Sequence, residues 1–271
     1  MPRTSFFVDG LNVYRFAAEA PRYAVLILPG TGGHGGCYDK YGEAHSGSGV
    51  EVFAMDFPGH GKSRGNPGQW TMRDCLNDIN TVADHVKAET GLPLFLLGSS
   101  QGSGFAYYAL NGTDSISGAI TMCLSSFHLD PLCKVIAPLC SEDFKKGMEF
   151  FRGSLQVDLK KLLRLEETYG SIEVTARLIN DPDMTWFYDL ISYHEYLTWQ
   201  PDVPDAENTK PMLVTIGEND PFMPPALIKT LAKQIAGPIT FKEFNDAPHQ
   251  LMLERTEDFM ATVDGWVAEV S

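Results

Sequence analysis

The chain predicts an α/β fold, built on a mostly parallel eight-stranded sheet flanked by helices, with a helical segment inserted late in the order. Three observations carry this expectation. Short apolar runs alternate with amphipathic helical patterns along most of the 271 residues, as a doubly wound sheet requires. One such run, Leu94-Phe95-Leu96-Leu97, passes directly into the small-residue element Gly98-Ser99-Ser100-Gln101-Gly102. The alternation then stops between about 127 and 208 and resumes afterwards.

Taken in order, 6–8 and 11–16 flank Asp9-Gly10 and read as an antiparallel hairpin opening the sheet. Strands follow at 23–28, 50–55, 93–97, 116–123, 211–216 and 239–244. Helical patterns fill several gaps, notably 71–87 and 101–110, and 254–270 closes the chain. The core is therefore expected at 1–126 and 209–271, with a helical cap at 127–208 over the active site. Within the cap, Leu155, Leu159, Leu162 and Leu163 share one helical face. Lys160, Lys161 and Arg164 occupy the other, either as a solvated face or as a basic rim attracting an anionic group.

The chemistry starts from G-x-S-x-G. A serine in that setting sits on a strained strand-to-helix turn, and only small neighbours let the helix pack close enough to expose the hydroxyl. Ser100 is the candidate nucleophile. Its proton needs a base, and the base needs an orienting acid. Asp220 follows the apolar run Met212-Leu213-Val214-Thr215-Ile216, and His249 follows Asn245-Asp246-Ala247-Pro248 at the end of another strand. The order serine, acid, histidine is that of the α/β-hydrolase fold. Glu218 and Asp246 compete as the acid; the position of Asp220 before Pro221 favours it.

With the landmarks Leu28-Pro29-Gly30-Thr31-Gly32-Gly33-His34-Gly35 and Asp56-Phe57-Pro58-Gly59-His60-Gly61-Lys62-Ser63, the chain resembles the α/β-hydrolase superfamily, in particular monoacylglycerol lipases and lysophospholipase-like esterases. The resemblance covers almost the whole chain and supports Asp220 as the acid. It implies an oxyanion hole formed by the backbone N–H groups of Thr31 and Gln101. Pro29, Ser99 and Gln101 depart from common family residues and leave the substrate class open.

What it implies is a serine hydrolase acting on a small carboxylic ester through an acyl-enzyme on Ser100. A thioesterase, lactonase, aminopeptidase or C–C bond hydrolase would use the same residues, and a ligand-binding receptor on this fold is the alternative of another class. Substrate contacts are expected from His34, His128, Trp186 and Tyr193, the last two among dense cap aromatics. His60 is expected to order its turn.

Two rival motifs share these segments. Gly30-Thr31-Gly32-Gly33-His34-Gly35 satisfies G-x-G-x-x-G after a strand, with Asp56 as a ribose-binding acid, so a dinucleotide site is the competing reading. Gly61-Lys62-Ser63 lacks the first glycine of a phosphate loop and is followed by turn residues.

A net charge of −14 argues against nucleic acid and anionic membrane surfaces. No apolar run approaches ~18 residues, so stable membrane insertion is not expected, and the amino terminus reads as cytoplasmic. Five cysteines, Cys37, Cys75, Cys123, Cys133 and Cys140, lack paired or metal-ligand spacing, which favours reduced thiols. No metal or organic cofactor is expected, and oligomeric state is not encoded legibly.

Overall fold

A computed structural model describes residues 3–129, 141–169 and 171–271. Cys133, Cys140 and part of the expected cap lie outside these residues. Strands β1 (Thr4–Val8) and β2 (Leu11–Phe16) form the predicted hairpin. Asp9 and Gly10 connect them at φ 47° and 80°, the left-handed conformations that a tight two-residue turn demands. Then come β3 (Ala24–Leu28), α1 (Asp39–Gly47), β4 (Glu51–Met55), α2 (Met72–Thr90), β5 (Leu94–Ser99), α3 (Gln101–Ala109) and β6 (Ile116–Met122).

The segment after β6 carries α4 (Glu142–Glu149), β7 (Gln156–Asp158), α5 (Leu159–Leu162), α6 (Leu165–Tyr169), α7 (Ile172–Ile179), β8 (Phe187–Asp189) and α8 (Leu190–Thr198). The core resumes with β9 (Met212–Gly217), α9 (Pro225–Ala232), β10 (Ile239–Phe244), α10 (Leu251–Glu254) and α11 (Thr256–Val270).

The sheet runs β1-β2-β4-β3-β5-β6-β9-β10, and every pairing from β4 to β10 is parallel. Helices cover both faces, so β3, β4, β5 and β9 are buried along their whole length. That is why they read as continuous apolar runs and not as alternating ones. Helix α2 begins where the Thr71 side chain accepts the Asp74 N–H and ends at Gly91, at φ 68°. Its Cys75, Ile79, Val82 and Val86 repeat every three or four residues and meet the core.

Two local expectations fail. The leucine stripe at 155–163 does not form one helical face: 156–158 pairs as β7 with β8, leaving Leu155 and Leu162 exposed while Leu159 is fully buried. Cross-strand pairing with residues about thirty positions away overrides the helical period there. The adjoining cations do not form a free rim either. Lys161 pairs with Asp158 and Arg164 with Glu167, while the Lys160 ammonium lies 4.9 Å from the Trp186 ring centroid. At the carboxyl terminus the closing helix forms as expected but starts at Thr256, with Arg255 separating it from the short α10.

Helix α11 is tied to the sheet by Asp264. Its carboxylate accepts a hydrogen bond from the Tyr23 hydroxyl at 2.6 Å and pairs with Arg22 at 3.0 Å, with His45 Nε2 at 3.4 Å. Burial opposes the charge, but hydrogen bonds from His45 and Tyr23 and the Arg22 charge outweigh it, holding the carboxyl at about 2 against an ordinary 3.8. A depressed carboxyl stabilises the fold above its unfolded value and stops doing so as pH falls through its folded value. Asp264→Asn is therefore expected to cost on the order of 1 kcal/mol at pH 7. Urea unfolding should show the gap to the parent closing between pH 4 and pH 2; a gap that persists at pH 2 would contradict the pairing.

Candidate active site

Ser100 stands between β5 and α3 at φ 51°, ψ −117°, a conformation that side chains rarely adopt and that a tight packing environment must enforce. The enforcement is glycine. A Cβ at Gly98 would lie 2.3 Å from the Gly102 carbonyl oxygen, and one at Gly102 would lie 2.0 Å from that of Leu28. The Ser100 N–H donates to the Met122 carbonyl at 3.0 Å, and its own carbonyl accepts the Ser103 hydroxyl. The elbow is thus clamped to the neighbouring strands.

Asp220 and His249 reach the same end of the sheet from the loops after β9 and β10. Asp220 Oδ2 accepts from His249 Nδ1 at 2.6 Å. Its Oδ1 accepts the N–H groups of Phe222 and Met223 at 2.8 and 3.0 Å, so the turn through Pro221 serves to orient the carboxylate. The proton on Nδ1 leaves Nε2 of His249 with a lone pair. The competing acids point elsewhere. Glu218 accepts the Asp246 N–H at 2.9 Å, both residues are exposed, and neither meets His249.

Along the glycine-rich loop after β3, three amides of Gly30 to Gly33 are taken. Gly30 N–H donates to the Tyr38 hydroxyl at 2.9 Å, Gly32 N–H to the Tyr188 hydroxyl at 2.7 Å, and Gly33 N–H to the Gly30 carbonyl at 2.9 Å. The Thr31 N–H has no acceptor among the described residues, and neither has the N–H of Gln101 at the start of α3. Two undonated amides therefore flank Ser100, where an anionic oxygen would satisfy both.

A cavity of about 300 Å3 opens on these groups, lined by Thr31, Ser100, Gln101 and His249 on the core side. Its far wall comes from the segment between β6 and β9, including Leu163, Leu178, Met184, Tyr193 and Tyr196. Among the described residues the lining holds no Lys, Arg, Asp or Glu. Phe222 and Met223 complete it beside Asp220. Sequence reasoning missed these two, though their adjacency to Asp220 was the available signal.

Of the expected substrate contacts, only Tyr193 lines the cavity. His34 is buried, with Nδ1 accepting the Gly36 N–H and Nε2 3.2 Å from Asp181, so it braces its loop. His128 stacks on Tyr107, and its ring nitrogens face the Tyr108 hydroxyl and Asp205, both at 3.0 Å. Its polar atoms are engaged on the flank of α3, away from the cavity. Trp186 is only 9% exposed and packs beneath Lys160 outside the lining. For His34 and His128, hydrogen bonds within the fold satisfy the side chain that was expected to meet substrate, and Trp186 is packed away from the cavity.

The dinucleotide reading fails on Asp56. It is fully buried, with Oδ1 accepting the Gly35 N–H and Oδ2 the Asn12 amide and the Lys62 N–H, so no carboxylate oxygen is presented to a ribose. His60 orders its turn as expected, through Nδ1 to the Pro58 carbonyl at 3.0 Å. Cys123 with Asp220 and His249 is the one grouping among the described residues compact enough for a metal. Its Asp and His direct their facing atoms at each other, so it does not present an open ligand set.

A glycine-enforced serine elbow, followed in the chain by an acid and a histidine from successive strand ends of an eight-stranded sheet, defines an α/β hydrolase. A model of the serine aminopeptidase S33 family (Hydrolase_4) matches residues 19–256, and the chain belongs to that family. Similar curated proteins include a monoglyceride lipase homolog of Monkeypox virus, 37% identical over 87 residues, and human monoglyceride lipase, 34% identical over 90. Those alignments cover 31% and 32% of this chain, and 31% and 29% of the relatives' own lengths.

Among solved structures, monoacylglycerol lipase of Paleococcus ferrophilus superposes with a TM-score of 0.70 at 23% identity, covering 96% of this chain and 99% of that one. A soluble variant of monoglyceride lipase from Saccharomyces cerevisiae, in complex with a substrate analog, gives 0.76 at 19% identity, covering 99% and 95%. These likenesses are of fold. No helix among the described residues is long and apolar enough to cross a membrane.

Proposed function

We propose that this chain is a serine hydrolase that cleaves esters of uncharged, apolar acyl groups, with the segment at 127–208 acting as the cap that selects them. The observation that carries the reading is the cavity on Ser100 and His249, which among the described residues offers apolar walls and no fixed charge. Ser100 Oγ attacks the ester carbonyl while His249 Nε2 takes its proton, and Asp220 holds the imidazole and balances its charge. The Thr31 and Gln101 amides receive the developing oxyanion. His249 then protonates the departing alcohol, and water releases the acyl group from Ser100 by the same steps in reverse.

The family's aminopeptidase label is the natural competitor. An exopeptidase must hold a substrate ammonium, which in a buried site calls for a carboxylate partner. The lining supplies none among the described residues, which supports esters over aminoacyl amides. The reading also places the protein in the cytoplasm, where thiols such as the free Cys37, Cys75 and Cys123 stay reduced.

A panel of p-nitrophenyl esters of increasing chain length, run beside aminoacyl p-nitroanilides, tests the proposal. Ester turnover without anilide turnover is the expected result; preference for the anilides would overturn it. Tyr193→Ala should change the ratio of kcat/KM between short and long esters by about tenfold, since a methylene-scale misfit is worth ~1–3 kcal/mol. A parental ratio in a variant of unchanged stability would remove Tyr193 from the acyl site.

A further inference from the structure

We infer that the Tyr188 hydroxyl is a positioning group through which the segment inserted between β6 and β9 shapes the oxyanion hole. The inference rests on the proposed esterase reading and goes beyond it, because no catalytic role is otherwise given to a residue outside the triad and the two amides.

Tyr188 lies in β8, far from the glycine-rich loop in sequence, yet it is 1% exposed and buried against the elbow. Its oxygen accepts the Gly32 N–H at 2.7 Å and lies 2.8 Å from His60 Nε2 and 3.2 Å from Gln101 Oε1. One atom thus touches the residue following Thr31 and the side chain of Gln101, the two residues whose backbone N–H groups form the hole.

The protons arrange themselves without conflict. The Pro58 carbonyl can only accept, so His60 carries its proton on Nδ1 and presents a lone pair at Nε2. Burial pushes His60 down to about 4, which keeps it neutral at working pH. The Tyr188 O–H is therefore directed to His60, with Gln101 Oε1 a second acceptor within reach. Either choice leaves lone pairs on the oxygen for the Gly32 N–H.

The same segment grips Gly32 from the other side, since the Thr185 N–H donates to its carbonyl at 2.9 Å. Gly32 itself sits at φ 73°, and a Cβ there would come within 2.8 Å of the Thr185 carbonyl oxygen. The Thr31 N–H shares its peptide unit with the Gly30 carbonyl, which accepts the Gly33 N–H at 2.9 Å. The next unit, joining Thr31 to Gly32, is held through its N–H by Tyr188. With both units anchored, the peptide plane that carries the Thr31 N–H has little freedom to turn away from Ser100. An oxyanion-hole donor acts through preorganisation, so a small rotation of that plane costs rate and not substrate affinity.

Tyr188→Phe in the full chain tests this, assayed on a p-nitrophenyl ester and with a trifluoromethyl ketone that forms a tetrahedral adduct on serine. The expected result is a fall in kcat of about tenfold or more, KM within twofold of the parent, and a matching loss of affinity for the ketone. Parental kcat and ketone affinity would overturn the inference while leaving the esterase reading intact. A rise in KM with kcat unchanged would also overturn it, since that marks a pocket-wall residue. If Tyr188→Phe loses its cooperative melting transition, His60→Ala carries the test, because it undirects the hydroxyl but retains the oxygen; a smaller loss confined to kcat and ketone affinity is expected, and parental values of both would overturn the inference. A parent protein that neither turns over esters nor takes a fluorophosphonate on Ser100 would overturn both readings together.

Discussion

Ser100→Ala is expected to abolish ester turnover, with a fall in kcat on the order of 10⁵ to 10⁶, and to leave the fold unchanged. Alanine accepts the same strained φ of 51° that Ser100 already adopts, and the clamps on the elbow are backbone and glycine contacts that the substitution does not touch. What is lost is the atom that forms the acyl-enzyme. Intact mass after fluorophosphonate treatment supplies the decisive measurement: the parent should gain one adduct and the variant none. Ser99 is the built-in control. It is fully buried, its hydroxyl 3.4 Å from Gln250 Oε1, and Ser99→Ala should keep most of the activity. An adduct mapped to Ser99 would refute the assignment.

Asp220→Asn is expected to lower kcat by on the order of 10³ to 10⁴ with the melting temperature close to the parent's. The side chain of Asp220 is wholly removed from solvent and its Oδ2 holds His249 Nδ1 at 2.6 Å. An amide there can still accept the Phe222 and Met223 N–H groups through its oxygen. It then turns an NH2 toward His249, which forces the wrong tautomer and withdraws the negative charge that stabilises the imidazolium. Glu218→Gln, made in parallel, should behave like the parent because Glu218 is exposed and does not meet His249. If Glu218→Gln were the crippling change and Asp220→Asn mild, the acid would have to be reassigned.

The contrast between these triad positions and the expected substrate contacts shows what a linear pattern can carry. Ser100 follows directly on the buried β5, Asp220 lies in the loop after the buried β9 and His249 in the loop after the half-exposed edge strand β10, so a short stretch of sequence fixes both the residue and the end of the sheet it occupies. His34, His128 and Trp186 are different. Whether each meets substrate or is satisfied inside the fold depends on partners far along the chain: Asp181 for His34, Asp205 for His128, Lys160 above Trp186. The same distance effect undid the leucine stripe, where pairing of 156–158 with 187–189 displaced a helical period.

By itself the sequence determined the strand runs, the glycine-enforced elbow and the chain order of the three candidate catalytic residues, because each depends on burial period or backbone sterics within a few positions. It also determined that the sheet is covered on both faces, since continuous apolar runs have no other stable setting. Only the tertiary structure decided which amides stay undonated, which aromatic residues wall the cavity and where the Tyr188 hydroxyl lies. Those outcomes rest on hydrogen bonds and packing between segments as far apart as Gly32 and Tyr188. Periodicity tells a residue that it will be buried, and the three-dimensional fold alone selects what it is buried against.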